Sequence, residues 1–142
     1  MSFEIVKLSK EVFSGEQVEI PVFDPRVEGF GPMSEVKAAA IAKYAANDTD
    51  YVAINASIDG KQCYLVAKAG TAGSTSFEIP EGEYAKFVSQ ETDRTALDAF
   101  IGQSYGELSQ SETVGVGIGG NFNLEDLRES SFTVYIPVQS KQ

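Results

Sequence analysis

The residue types that most often do chemistry are scarce in this chain, and their spacing allows few reactions. There is no histidine, so no imidazole can serve as general base, nucleophile partner or metal ligand. A Ser-His-Asp triad is excluded, and so are most zinc sites. Cys63 is the sole cysteine, which rules out an intrachain disulfide and a cysteine metal cluster. Set beside Tyr64 and Leu65 in an apolar run, it reads as core and not as a nucleophile. The stretch Gly115-Val-Gly117-Ile-Gly119-Gly120 matches GxGxxG letter for letter. A dinucleotide loop needs a helix straight after it and an acid about 20 residues further on, within a βαβ unit. Here the chain closes with a strand-like run at 132–138. A better account is a strand that packs Val114, Val116 and Ile118 inward and leaves the glycine face bare, with room for a ligand. Acids gather at Glu78, Glu81 and Glu83 and at Glu125-Asp126. Their spacing fits no calcium loop, and the expectation is charges facing water around a turn at Pro80 and Gly82. Six tyrosines with no tryptophan are the aromatic feature with functional promise.

Charge narrows the partners. Eleven Lys+Arg against 21 Asp+Glu give a net charge of −10 and a pI near 4.4. Such a surface repels phosphate backbones, so direct nucleic-acid binding and anionic membranes are not expected, while cationic ligands are tolerated. With 142 residues, 42% of them hydrophobic, the chain is expected to form a single domain, burying roughly 70% of its extended-chain surface. The N-terminal run carries Glu4 and no long apolar core, and the densest apolar stretch, 38–42, is far too short to span a bilayer. The expected location is cytoplasmic, with no membrane partner.

The elements that must hold these residues follow from periodicity. Phe3, Ile5, Val6 and Leu8 open the chain as a strand; Val18, Ile20 and Val22 alternate in a second, with Pro21 placing it at an edge or bulge. A loop through Asp24-Pro25 and Gly31-Pro32 leads to a helix that Ser34 caps, running to about 46 with Met33, Val36, Ala40 and Tyr44 on one stripe. Runs at 51–58 and 62–68 flank Asp59-Gly60, the strongest hairpin signal in the chain. The small, polar segment 70–76 is the natural linker at the midpoint. Beyond it the order repeats: extended runs at 76–79 and 84–88, then a helix capped near Thr92 or Asp93 that carries Leu97, Phe100, Ile101, Tyr105 and Leu108. Strands at 114–118 and 132–138 close the chain. The pattern predicts an α+β fold of two pseudo-repeated βαββ units (about 1–70 and 75–142) forming antiparallel sheet, with two helices on one face.

Strand alternation then selects a site. Phe132, Val134 and Ile136 share a face that should meet the helices, leaving Thr133 and Tyr135 on the other. The same split along 51–58 sends Val52, Ile54, Ala56 and Ile58 inward and Tyr51, Ala53, Asn55 and Ser57 away. The helix-distal face is therefore expected to collect Tyr51, Asn55, Tyr64, Tyr84, Gly115, Gly117, Thr133 and Tyr135. Rings, small residues and a few hydroxyls or amides suit a flat aromatic ligand. With no assured carboxylate on that face, neutral or weakly cationic aromatics are expected.

The second half resembles a known family. Phe77-Glu-Ile-Pro80-Glu-Gly82-Glu-Tyr84-Ala85-Lys-Phe87, an amphipathic helix, and the closing Phe132-Thr-Val-Tyr135-Ile136-Pro137-Val138 are similar to gyrase-inhibitor-like (GyrI-like) effector-binding domains. Over 1–70 the likeness is one of architecture alone. The resemblance implies two βαββ units that bind hydrophobic, often cationic, compounds between them through aromatics and a buried glutamate. Members are often fused to DNA-binding regions in multidrug-responsive bacterial transcription regulators. This chain opens directly in its first strand, so the expectation is a stand-alone binding protein with no DNA-binding region of its own. It carries Thr133 where many members place Glu, which leaves its buried anion unassigned. The expected partner is a small aromatic or amphipathic molecule, with no cofactor and no catalytic residue, in a monomer or weak dimer. The alternatives are an interaction module for DNA gyrase or a separate regulator, and a hydrolase with a carboxylate base and a tyrosine acid.

Overall fold

The computed structural model describes residues 3–21, 25–46, 48–117 and 122–141; Val22, Ile118, Gly119 and Gly120 lie outside them. The order is β1 (Glu4–Leu8), β2 (Glu11–Glu19), α1 (Pro25–Glu28), α2 (Gly31–Tyr44), β3 (Val52–Ile58), β4 (Lys61–Ala69), β5 (Thr75–Ile79) and β6 (Gly82–Ser89). There follow α3 (Arg94–Gln110), β7 (Val114–Val116), β8 (Phe122–Asp126) and β9 (Phe132–Ser140). Among the described residues, the strands join one antiparallel nine-stranded sheet in the order β1-β6-β9-β8-β3-β4-β2-β5, with β7 against the end of β9. The fold is α+β, as expected, and its sheet is curled. Val6 and Leu8 of β1, at one end of the order, pack in the same apolar cluster as Phe77 and Ile79 of β5 at the other.

The order is symmetric about the β8–β3 contact. Each half adds an opening strand to the expected βαββ set, and the two exchange it: β1 pairs with β6, and β5 pairs with β2. The segment 70–76 is accordingly no loose tether. Gly73 donates its N–H to Ser14 Oγ at 2.8 Å, and an added Cβ on Gly15 would lie 1.9 Å from the Val66 carbonyl oxygen. Here β2 passes from β4 to β5, and only a residue without a side chain admits so close a backbone approach. β2 also begins seven residues before Val18 and stops at Glu19, short of Pro21.

Local chemistry explains the other boundaries. Asp59 and Gly60 both take positive φ, 53° and 80°, and Ile58 pairs with Lys61; that is the two-residue turn a twisted hairpin prefers. α3 starts at the Asp93 cap, whose Oδ2 accepts the Ala96 N–H at 3.0 Å. α2 starts three residues earlier than expected, with Pro in its first turn and no side-chain cap. Ser34 sits inside the helix, buried.

Both faces of the sheet are apolar. α2 covers Ala53, Tyr64 and Val66, and α3 covers Ala85, Phe87, Val134 and Ile136. The opposite face closes on itself around Phe13, Val52, Ile54, Leu65, Tyr84, Phe122, Leu124 and Tyr135. The expectation for β9 therefore holds, with Phe132, Val134 and Ile136 under α3. That for β3 is reversed: Val52, Ile54 and Ala56 point away from the helices, and Tyr51 and Ala53 point toward them. Alternation shows that residues share a face; it cannot say which face the helices cover when both are apolar.

Candidate functional site

Beneath the two helices lies a closed group of charged side chains. Glu125, the next-to-last residue of β8, is 0% exposed. Its Oε1 accepts hydrogen bonds from Tyr64 Oη at 2.7 Å and Arg94 Nη1 at 2.8 Å. Its Oε2 accepts from Asn55 Nδ2 at 2.7 Å and Lys37 Nζ at 3.4 Å. Asp98, one turn into α3 from Arg94, is 1% exposed. Its Oδ1 accepts from Lys37 Nζ at 2.9 Å and Arg94 Nη2 at 2.8 Å, and its Oδ2 from Ser34 Oγ at 2.6 Å. Lys37, 2% exposed, also lies 4.9 Å from the centre of the Tyr64 ring. Two cations and two anions thus balance.

Each element contributes through its period. Ser34 and Lys37 stand one turn apart on α2, and Arg94 and Asp98 one turn apart on α3, so each helix aims a polar pair at the same point. Asn55 and Asn123 are register partners in β3 and β8, and Asn55 Nδ2 donates to Asn123 Oδ1 at 2.7 Å. Asn123 Nδ2 in turn donates to Tyr105 Oη at 3.2 Å. Burial alone would raise the Glu125 carboxyl. Lys37, Arg94 and the bonds from Tyr64 and Asn55 outweigh it and hold the group at about 2. Burial and the neighbouring Glu125 push the Tyr64 phenol well up, so it is a donor and not a base.

A cavity of about 510 Å³ opens onto this group. Ile20, Pro21, Phe30, Met33, Ile101 and Gly102 form its apolar wall, and Lys37, Asp98, Asn55 and Asn123 its polar floor. Its size and its mix of many apolar and few convergent polar groups are those of a small-molecule site. Among the described residues no group of three or more Cys, Asp or Glu is placed to hold a metal ion.

The structure brings only some of the expected site residues to this place. Asn55 and Tyr64 are in the charged group. Tyr51 shares their face but lies under Lys68, 5.0 Å from its ring centre, in a separate hollow. Tyr84 and Tyr135 belong to the cluster on the other face, Tyr84 donating to the Pro80 carbonyl at 2.6 Å. Thr133 also turns away from the helices and donates to the Ser131 carbonyl at 3.1 Å. Gly115 and Gly117 run along β9 at the sheet's margin, antiparallel to it, which removes the dinucleotide reading. The expectation of no assured carboxylate concerns the helix-distal face; Glu125 lies on the other face, beneath the helices, as the register partner of Val134. The sequence signal for its strand is weak: Phe122 and Leu124 alternate with Asn123 and Glu125, and a polar strand face ordinarily means water. Cys63 is buried as expected, its thiol pushed up by burial.

The architecture is that of a curled antiparallel sheet with two long helices on one face and a charged group and a cavity beneath them. The chain belongs to the Cass2 family, integron-associated effector binding proteins, whose profile matches residues 4–138. It is similar in fold to SAV2435 bound to tetraphenylphosphonium (TM-score 0.63, 16% identity, covering 98% of this chain and 94% of that one). A protein from Staphylococcus aureus MU50 described as a bacterial transcription regulation protein gives 0.64 at 14% identity, covering 98% and 99%. An integron cassette protein from the mobile metagenome of Vibrio cholerae gives 0.67 at 10%, covering 96% and 95%. No curated protein sequence matches. The gyrase-inhibitor-like resemblance of the second half agrees with these relatives.

Proposed function

We propose that this protein binds a small amphipathic aromatic molecule in the cavity between α2, α3 and the sheet, without catalysis. The observation that carries the reading is the cavity itself, about 510 Å³, walled by Phe30, Met33 and Ile101 and floored by buried polar groups. Membership of an effector-binding family supports it, as does a relative of the same fold solved with tetraphenylphosphonium. The reading is of one domain in two repeats, with no cofactor, acting in the cytoplasm as a monomer or weak dimer. Net charge of −10 opposes direct nucleic-acid binding, and no described helix is long and apolar enough to cross a membrane.

A thermal-shift screen against aromatic dyes and drugs tests this, since a ligand that binds only the native state raises its melting temperature saturably. Gly102→Trp supplies the control. A Cβ at Gly102 comes within 4 Å of the Phe30 ring, at 3.7 Å, and Gly102 lines the cavity, so an indole placed there is expected to fill its mouth. The expected result is saturable stabilisation of the parent that Gly102→Trp loses. A hit that stabilises both proteins equally binds elsewhere and refutes the site.

A further inference from the structure

The cavity floor already contains a cation. Lys37 Nζ lies 2.9 Å from Asp98 and 3.4 Å from Glu125, over the Tyr64 ring. Two carboxylates and an aromatic face are what a ligand cation would seek in a dry site. We propose that Lys37 is a tethered occupant of the cation subsite, so that this protein selects uncharged amphipathic aromatics over cationic ones. The inference rests on the cavity reading above and assigns the ligand's charge.

The charge count carries it. Glu125 and Asp98 are offset by Lys37 and Arg94, and the lining pair Glu19 and Lys61, 3.7 Å apart, cancels as well, so the floor and the groups beneath it are neutral with all of them charged. A cationic ligand beside Lys37 would meet no net attraction and a like charge. Entering the subsite itself, it would have to expel an ammonium that is only 2% exposed, trading one buried ion pair for another. An uncharged ligand faces neither difficulty. Asn55 uses both amide protons on Asn123 and Glu125, so what it has to offer a ligand is its carbonyl oxygen. Removing the Lys37 charge while keeping Arg94 leaves the floor one negative charge in excess, and the preference should invert. Arg94 cannot substitute for Lys37 in this role: it meets Asp98 and Glu125 through both terminal nitrogens and lies beside Phe132, outside the cavity lining.

The test uses two probes of nearly one shape, triphenylphosphine oxide (uncharged) and methyltriphenylphosphonium (cationic), titrated calorimetrically into the parent, Lys37→Met and Lys37→Gln. The parent is expected to bind the oxide at least tenfold more tightly than the phosphonium. Either Lys37 variant is expected to shift that ratio at least tenfold toward the phosphonium. Should both variants fail to fold, the ratio in the parent decides. Oxide binding that Gly102→Trp abolishes establishes the cavity. With that in hand, a parent that binds the phosphonium as tightly as the oxide, or a ratio that Lys37→Met leaves unchanged, overturns the role of Lys37 alone. If neither probe binds the parent or a variant, the cavity reading falls and the inference falls with it.

Discussion

Replacing Glu125 with glutamine keeps the shape of the side chain and removes its charge, which makes Glu125→Gln the sharpest probe of the buried group. Four donors converge on the two carboxylate oxygens: Tyr64 and Arg94 on one, Asn55 and Lys37 on the other. A glutamine offers one accepting oxygen and one NH₂, so in either orientation two of those donors face another donor. Lys37 and Arg94 are left with Asp98 as their sole counter-charge in the group. Breaking a buried pair from one side typically costs about 3–5 kcal/mol, and the expected loss at pH 7 lies in that range. The pH dependence supplies an independent check. The Glu125 carboxyl sits near 2 in the folded protein and near 4.5 ordinarily. A carboxyl lowered by folding stabilises above its unfolded value, and the contribution is lost as pH falls through 4.5 toward 2. The interval is worth about 3 kcal/mol, of which about 2 kcal/mol is gone by pH 3. Urea unfolding of parent and variant at pH 7 and pH 3 measures both quantities. The gap between the two proteins should narrow by about 2 kcal/mol at pH 3. A variant within about 1 kcal/mol of the parent at pH 7, or a gap that ignores pH, would refute the picture of Glu125 as a paired buried anion.

Two further outcomes follow from the packing. Gly15→Ala places a Cβ 1.9 Å from the Val66 carbonyl and should destabilise by about 3 kcal/mol or leave no soluble protein; denaturant unfolding that matches the parent would mean β2 and β4 do not approach so closely. Tyr135→Ala removes a ring that is 8% exposed in the cluster away from the helices, so it should cost about 3 kcal/mol of stability while affinity for a cavity ligand is unchanged. Affinity falling tenfold or more with stability intact would return the site to the helix-distal face.

Much of the frame was legible in the sequence because its causes are local. The Asp59-Gly60 turn, the Asp93 cap and the apolar stripes of α2 and α3 each depend on residues within a turn or two of one another. The face of β9 under α3 was legible too, since Phe132, Val134 and Ile136 are uniformly apolar whereas Thr133 and Tyr135 carry hydroxyls. β3 carries no such asymmetry: Val52 and Ile54 look like a helix-facing set, but they pack with Phe13, Phe122 and Tyr135 instead.

Tertiary structure alone decided the site. Lys37, Asp98 and Glu125 look in sequence like charges bound for water, as isolated ionisable residues usually are. Each is buried because partners from other elements satisfy it: α2 supplies Ser34 and Lys37, α3 supplies Arg94 and Asp98, and β3 and β4 supply Asn55 and Tyr64. No local pattern encodes that convergence, because desolvating any one of these charges is unfavourable until the others arrive. The composition determined that these residues would have no histidine chemistry and no intrachain disulfide, and the periodicity determined the two long helices and most of the strands, though not the short α1 at Pro25–Glu28. Where the carboxylate lies, and that a lysine already sits against it, follows only from the way the curled sheet brings β3 and β8 together beneath both helices.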